Sequence, residues 1–417
     1  MAVAVMMSTA TLPKQRNQTI DVIRGVALLG ILVMNIRIFA MPYEAYSNPT
    51  SWGSLEGLNY AVWFMGGLLA DQKFMSIFSM LFGAGMLLLI ERLQSTDRPA
   101  ISVHYRRMAW LFVFGLIHAY GIWHGDILVS YALCGMWVVW LRKLPAIWLM
   151  LIGFCLISVV SVLMGGFGAF LLMIPLEEAS KLLSGGMQFG GSQADEIEAF
   201  RGNWSDHFSY RFPFALMMQT EVFFFYSFWR VSGLMLVGMA LYRWGVFTGR
   251  CRTSVYAILL GLGILVGIPI VWAGIEMNWA YDWELIRKEF LFFQFNYWGS
   301  IPVALGWVAL VALFVRSGML GWFRHALACV GRMALSNYLL QSFVCTLIFY
   351  GHGLGHFAGL ERVDQFLVVF AVSIAQLVWS PLWLGAFQFG PFEWLWRCLA
   401  YWSIQPMRRR PPVVPGG

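Results

Sequence analysis

The sequence predicts an all-α polytopic integral membrane protein with about ten transmembrane helices. Three observations predict it. Only 12% of the 417 residues are charged, 59% are hydrophobic, and the mean hydropathy is +0.68, against roughly 25% charged and 45–50% apolar in a soluble domain. The apolar residues fall into runs close to the roughly 20 residues that cross a hydrocarbon core. The 28 basic residues stand in short clusters between those runs, where topology signals belong. Together these exclude a soluble enzyme, a nucleic-acid-binding module and a disordered chain. The 21 Trp and 34 Phe suit a lipid-facing surface, and the net charge of +7 reflects topology, so no nucleic-acid partner is expected.

The predicted spans lie at about 20–41, 72–92, 106–122, 127–141, 145–170, 225–246, 253–275, 295–316, 332–350 and 364–387. The apolar segment 57–71 either extends the second span outwards or lies at the membrane surface. With the N-terminus in the cytoplasm, most basic residues fall on that side, among them Lys14, Arg16, Arg24, Arg106, Arg107, Arg142 and Arg332. The outer side keeps Lys181, Arg201, Arg211, Arg287, Lys288 and Arg362, while Arg37, Lys73 and Arg230 fall within or beside helices. The positive-inside rule then gives an even number of spans with both termini cytoplasmic.

The domain reading follows the charges. A cytoplasmic segment 1–19 precedes a five-helix half at 20–173. An external connection at 174–212, acidic and glycine-rich (Ser184-Gly185-Gly186, Gly190-Gly191), leads to a second five-helix half at 213–402. The tail 403–417 ends in a Pro/Gly stretch expected to be disordered. Lys14 and Arg16 run straight into an apolar segment, which reads as a retained first span. The six cysteines (Cys134, Cys155, Cys251, Cys329, Cys345, Cys398) form no CxxC and no Cys/His cluster, so neither disulfide framework nor metal site is expected.

Polar groups at membrane depth are costly and mark candidate sites. Asp21 and Arg24 are three apart on one helix face and can pair; they either anchor the first span or help to hold a phosphate, for which Arg supplies a planar fork. Asn35 lies further along the same helix. Asp71 and Lys73 open the second span, where Lys73 either snorkels to the outer interface or lines a path. His118, His124 and Asp126 surround the turn between spans three and four. Asp126 suits a helix N-cap, and two imidazoles with a carboxylate also suit a base and its orienting acid. Glu221 and Arg230 are further membrane-depth charges. Asn337 and Gln341 share a face of span nine, matched by Gln376, Trp379 and Ser380 in span ten, and either knit helices or contact substrate. Gly351, Gly355 and Gly359 read as a turn, and the Trp-rich segment 392–402 as an interfacial amphipathic helix.

Several blocks resemble the YeiB-like family of bacterial inner-membrane proteins, whose C-terminal half is a membrane domain of unknown function. They are Ile20-Asp21-Val22-Ile23-Arg24-Gly25, Trp123-His124-Gly125-Asp126-Ile127-Leu128, Gly331-Arg332-Met333-Ala334-Leu335-Ser336-Asn337-Tyr338 and Gly390-Pro391-Phe392-Glu393-Trp394-Leu395-Trp396-Arg397. More remotely, Asp21, Arg24, Gly25, Asn35, Asp71 and Gly83 are similar to the start of transmembrane acyltransferases typified by heparan-α-glucosaminide N-acetyltransferase. That resemblance implies transfer of an acyl group from cytosolic acyl-CoA, such as acetyl-CoA, to an acceptor across the membrane. The chain departs from the pattern at Ser47-Asn48-Pro49-Thr50-Ser51-Trp52, where those enzymes carry a histidine.

The expectation is therefore an acyltransferase-like protein of the bacterial inner membrane. His118, Asp126 and His124 form its catalytic set. Asp21, Arg24, Asn35, Lys73, Arg106, Arg107 and Arg332 hold acyl-CoA, and Asn337, Gln341, Glu221 and Arg230 contact substrate. Membrane lipid, a periplasmic glycan or lipid acceptor, and a second copy in a homodimer are the partners expected. The alternative is a transporter or translocator of a small solute or lipid.

Overall fold

A computed structural model describes residues 17–187 and 192–409. Lys14, Arg16, Gly190, Gly191 and the tail 411–417 lie outside the described residues. The described chain is all-helical, with a lone bridge between Phe387 and Arg408. Seven helical stretches are long and apolar enough to cross a membrane: Gln18–Ala40, Leu58–Gln94, Ala146–Met173, Trp204–Arg243, Thr253–Ala280, Arg287–Ser317 and Arg362–Ala386. The protein is an all-α polytopic membrane protein.

The first helix, α1 (Gln18–Ala40), starts on the Asn17 side chain, which accepts the Ile20 N–H. Its start marks the basal end of the bundle and its finish the distal end. After the short α2 (Glu44–Ser47), α3 (Leu58–Leu69) and α4 (Lys73–Gln94) form the second stretch. Segment 57–71 is thus a separate helix, broken from α4 where Gln72 takes φ 61°. Then α5 (Ala100–Ile117) runs to the distal end, passes through a π-helical turn at His118–Ile122, and α6 (Leu128–Val138) returns.

α7 (Ala146–Met173) reaches the distal end again, where α8 (Leu176–Met187), α9 (Gln193–Arg201) and α10 (Trp204–Gln219) follow. α10 leads through a π-helical turn into α11 (Phe228–Arg243), so this stretch begins at Trp204, well before the expected 225. α12 (Thr253–Leu262) and α13 (Ile268–Ala280) form one span and α14 (Phe293–Ser317) the next. The basal α15 (Gly321–Arg332), the ascending α16 (Ala334–Phe349), the descending α17 (Arg362–Ala386) and the basal α18 (Pro391–Tyr401) complete the chain. The expected spans at 106–122, 127–141 and 332–350 are helical but shorter or more polar than the seven. Gly351–Leu354 form the turn expected there.

The two halves interlock rather than stand apart. α4 packs on α11 and α7 on α11, and one apolar core draws on Ile20, Phe74, Val160, Leu234, Tyr297 and Leu327. Hydrocarbon offers no hydrophobic drive between helices, so small residues permit the close contacts that hold them. A Cβ on Gly331 would meet the Asp21 carbonyl oxygen at 1.9 Å, and one on Gly25 the Leu327 oxygen at 2.1 Å. Across α4 and α11, Gly83 and Gly238 fit against Met235 and Met80 in the same reciprocal way.

The distal end carries a cap. Phe39, Trp123, Phe200, Phe349, Tyr350 and Phe357 form its apolar centre. Arg362 donates to the carbonyls of Pro49 (2.8 Å), Trp52 (2.8 Å) and Ser54 (2.6 Å), pinning the loop after α2. α9 is held to the same region by Glu196, whose two carboxylate oxygens accept the Tyr43 N–H at 3.0 and 3.2 Å. Burial pushes the Glu196 carboxyl up to about 7, against the lowering effect of the Tyr43 N–H and with a smaller raising effect from Glu44.

Two expected outcomes follow from this packing. Gly331→Ala should lower the thermal midpoint of the purified protein, because a clash with backbone that cannot swing away costs about 1–3 kcal/mol. Gly85→Ala, whose Cβ would meet nothing within 4 Å, should leave the midpoint unchanged or raise it, since Ala is the better helix former. The cap should respond to pH. A carboxyl ionising near 7 when folded and near 4.5 when unfolded keeps its proton in the folded state between those values. Stability therefore falls as pH rises through that window. Hydrogen-exchange protection of the Tyr43 amide, corrected for intrinsic rate, should drop from pH 5 to pH 8, and Glu196→Gln should flatten the change.

Candidate functional site

The distal end of α5 builds the most chemically poised group. The π-helical turn at His118–Ile122 ends α5 and turns the chain inwards. Its carbonyls, the negative end of the helix dipole, are taken by Arg211 of α10, which donates to Ile122 O (2.6 Å) and Tyr120 O (2.9 Å). Asp126 then accepts from the Val129 N–H at 2.8 Å, capping the first turn of α6 with one oxygen. Its other oxygen meets His118 Nδ1 at 2.8 Å. The His118 and Asp126 side chains are 0% and 1% exposed.

A carboxylate on Nδ1 fixes the imidazole tautomer that carries a proton there and leaves Nε2 as the basic nitrogen. That Nε2 is buried and has no hydrogen-bond partner among the described residues. The ring faces Tyr338 of α16, with centroids 5.0 Å apart, and Trp123, at 6.2 Å. Trp123 Nε1 and His124 Nδ1 are also buried and without partners, so one turn presents three such ring nitrogens. His124 is buried against Phe214 and Phe200 rather than solvated. Burial above all, with the charges of Arg211 and His118, holds it down at about 3, so it stays neutral.

A second polar group lies on another face of α1. Arg37 and Phe39 are two residues apart, about 200° around the helix; Phe39 stacks on Trp123, while Arg37 meets Asp71 at 3.6 Å. Tyr46 donates to Asp71 (2.7 Å), and Asn296 of α14 lies within 3.5 Å of its other oxygen. Lys73 is 0% exposed and donates to Gly67 O and Asn296 Oδ1, both at 2.6 Å. It is turned inwards and does not snorkel. Arg230, also fully buried, bonds Ser300 Oγ (2.8 Å), Ser76 Oγ (3.3 Å) and Tyr297 O (3.1 Å), with its guanidinium 4.1 Å from the Tyr297 ring centre.

The basal end gathers arginines. Asp21 and Arg24 pair at 3.3 Å. Arg107 stacks on Trp396 of α18 at 3.9 Å, close enough to Arg24 and Arg397 to feel their charges. Arg106 faces Trp402 at 6.0 Å, and Arg332 donates to Gln388 O at 3.4 Å. Glu393 accepts the Leu335 and Ser336 N–H groups and so caps α16 from α18.

Other expected site residues are placed differently. Asn337 bonds Ser380 (3.0 Å) and Trp379 (2.8 Å), and Gln341 bonds Gln376 (2.9 Å); they knit α16 to α17. Glu221 is exposed and stands apart from Arg230, and Asn35 is half-buried on α1. Sequence reasoning missed Arg211 and Arg362, counted among outer charges yet 1% and 2% exposed. It also missed Asn296 and Tyr46, and no spacing links these to Asp71.

No solved structure matches the chain. A family described as "Protein of unknown function (DUF418)" matches residues 241–403. A relative from Escherichia coli named "Uncharacterized protein YeiB" is 31% identical over 94% of this chain and 98% of its own length. One from Bacillus subtilis named "Uncharacterized protein YxaH" is 28% identical over 97% and 98%. At that identity over nearly the full length of both chains, the protein belongs to the YeiB-like family of membrane proteins with a DUF418 region at the C-terminal side.

Proposed function

We propose that the protein is a bacterial inner-membrane acyltransferase, moving an acyl group from cytosolic acyl-CoA to a glycan or lipid acceptor on the far side. The observation that supports this most is the buried His118–Asp126 pair with an unpartnered Nε2. In this reading the acceptor hydroxyl or amine attacks the thioester carbonyl while its proton passes to His118 Nε2. The C–S bond breaks, and the departing thiolate takes that proton to leave as the thiol. Asp126 keeps the ring oriented and stabilises the imidazolium between the two transfers.

The basal Arg24 and Arg107 hold the donor's phosphates through charge-assisted bonds. From Arg107 to His118 the helix rises about 16 Å, a distance for the donor's extended arm to cover. The second reading, a translocator, draws on the buried charges Arg37, Asp71, Lys73 and Arg230, because intramembrane ionisable groups also mark substrate paths.

The test uses purified protein in nanodiscs with radiolabelled acetyl-CoA and periplasmic glycans or lipids. Transfer should be measurable, and His118→Gln or Asp126→Asn should slow it by about 10²–10⁴-fold, the usual share of a general base, with donor binding kept. Arg24→Lys keeps the charge but loses the fork. It should weaken donor binding at least tenfold in calorimetry, about 1.5 kcal/mol or more, while Arg142→Lys should not. Solute uptake into proteoliposomes without any acyl donor, and no label transfer, would instead favour translocation.

A further inference from the structure

We propose a binding site for a compact monovalent anion beside Arg37, between the distal ends of α1, α3 and α17 and separate from the His118–Asp126 pair. Arg37, Arg230 and Asp71 all lie within electrostatic range of Lys73, and Arg362 lies within range of Arg37. Lys73 and Arg230 are 0% exposed, Arg362 2% and Arg37 8%. The carboxylates facing this group are Asp71, bonded to Arg37 and Tyr46, and Glu361, which is exposed at the rim and accepts the Ser54 N–H. Four buried cations thus face a single carboxylate inside and one in water. Excess charge of one sign is expensive in a low-dielectric interior, and a bound counter-ion is the direct relief.

Geometry supplies a place for it. A cavity lined by Val33, Arg37, Trp63, Gly66, Arg362 and Gln365 leaves about 20 Å³ to the centre of a water-sized group, above the roughly 10–15 Å³ that one water needs. Arg37 and Arg362 both line it. Arg362 Nε is buried without a partner, although both terminal nitrogens are bonded to the loop after α2. Gln365 Oε1 is likewise buried without a partner, an acceptor that a water in the anion's shell satisfies. Lys73, bonded to Gly67 O directly beyond Gly66, adds its charge from behind α3. The site therefore offers a charged donor set, and room for little more than one water-sized group favours a compact anion over a phosphate ester.

The probes are chloride and acetate, each titrated into purified protein in sodium gluconate at constant ionic strength. Thermal unfolding should shift upwards by several degrees and saturate with one of them, as expected when an ion binds only the folded state. Saturation with chloride identifies a halide; saturation with acetate alone identifies a carboxylate. Arg37→Gln should abolish the shift, and Arg252→Gln, an exposed basal residue, should retain it. Bromide soaked into the wild-type protein and located by anomalous scattering gives a reading that needs no variant, with density expected against Arg37. No anion-dependent shift, as when Lys73 sheds its proton to relieve the charge, overturns the proposal. So does bromide density only elsewhere, or a shift equal in wild type and Arg37→Gln.

Discussion

Charge buried at membrane depth is the constraint on which this structure turns. In hydrocarbon each unsatisfied polar group costs several kcal/mol, so a buried side chain must find partners within the bundle. Arg230 shows how this is met. Three hydrogen bonds and a ring stack tie α11 to α4 and α14 around a single guanidinium. Lys73 joins α3, α4 and α14 in the same manner. These cations work as joints between helices. Seven buried ring nitrogens go without a partner among the described residues, and three of them lie in the turn from His118 to His124.

α1 organises what those joints leave. At the basal end its glycine lets α15 approach to backbone contact, which sets its depth and rotation. Fixed that way, it turns Phe39 towards Trp123 and the histidine turn, and Arg37 towards Asp71. Two polar regions of different character therefore sit on either side of one helix. The first is a pair of buried imidazoles, one of them held by a carboxylate, and the second is rich in cations. Loosening the α1–α15 contact would disturb both at once.

The membrane class, the helical segments and the pairing of His118 with Asp126 were legible in the sequence, because hydropathy and a turn of eight residues are local facts. The origin of α10 and the burial of Arg211 and Arg362 were not. An arginine in a loop reads as a solvated topology signal. Here each is drawn inwards by exposed carbonyls of a turn far along the chain, Ile122 in one case and Pro49 in the other. Asn337 and Gln341 carry the opposite lesson. Their shared face was visible, but whether an amide pair knits helices or meets a ligand depends on Gln376 and Ser380 being at hand, which is tertiary information.

Arginines in this bundle are held in two ways, by stacking on rings and by donating to backbone carbonyls. At the basal end Arg107, Arg106 and Arg397 lie over Trp396, Trp402 and Phe389. Stacking leaves the edge of a guanidinium able to form a bidentate bond with an oxyanion. At the distal end Arg211 and Arg362 give their terminal nitrogens to backbone carbonyls, so they fix loops, and the Nε of each is left without a partner among the described residues. The distal end, with its loops pinned and its imidazole oriented by Asp126, is built to hold geometry.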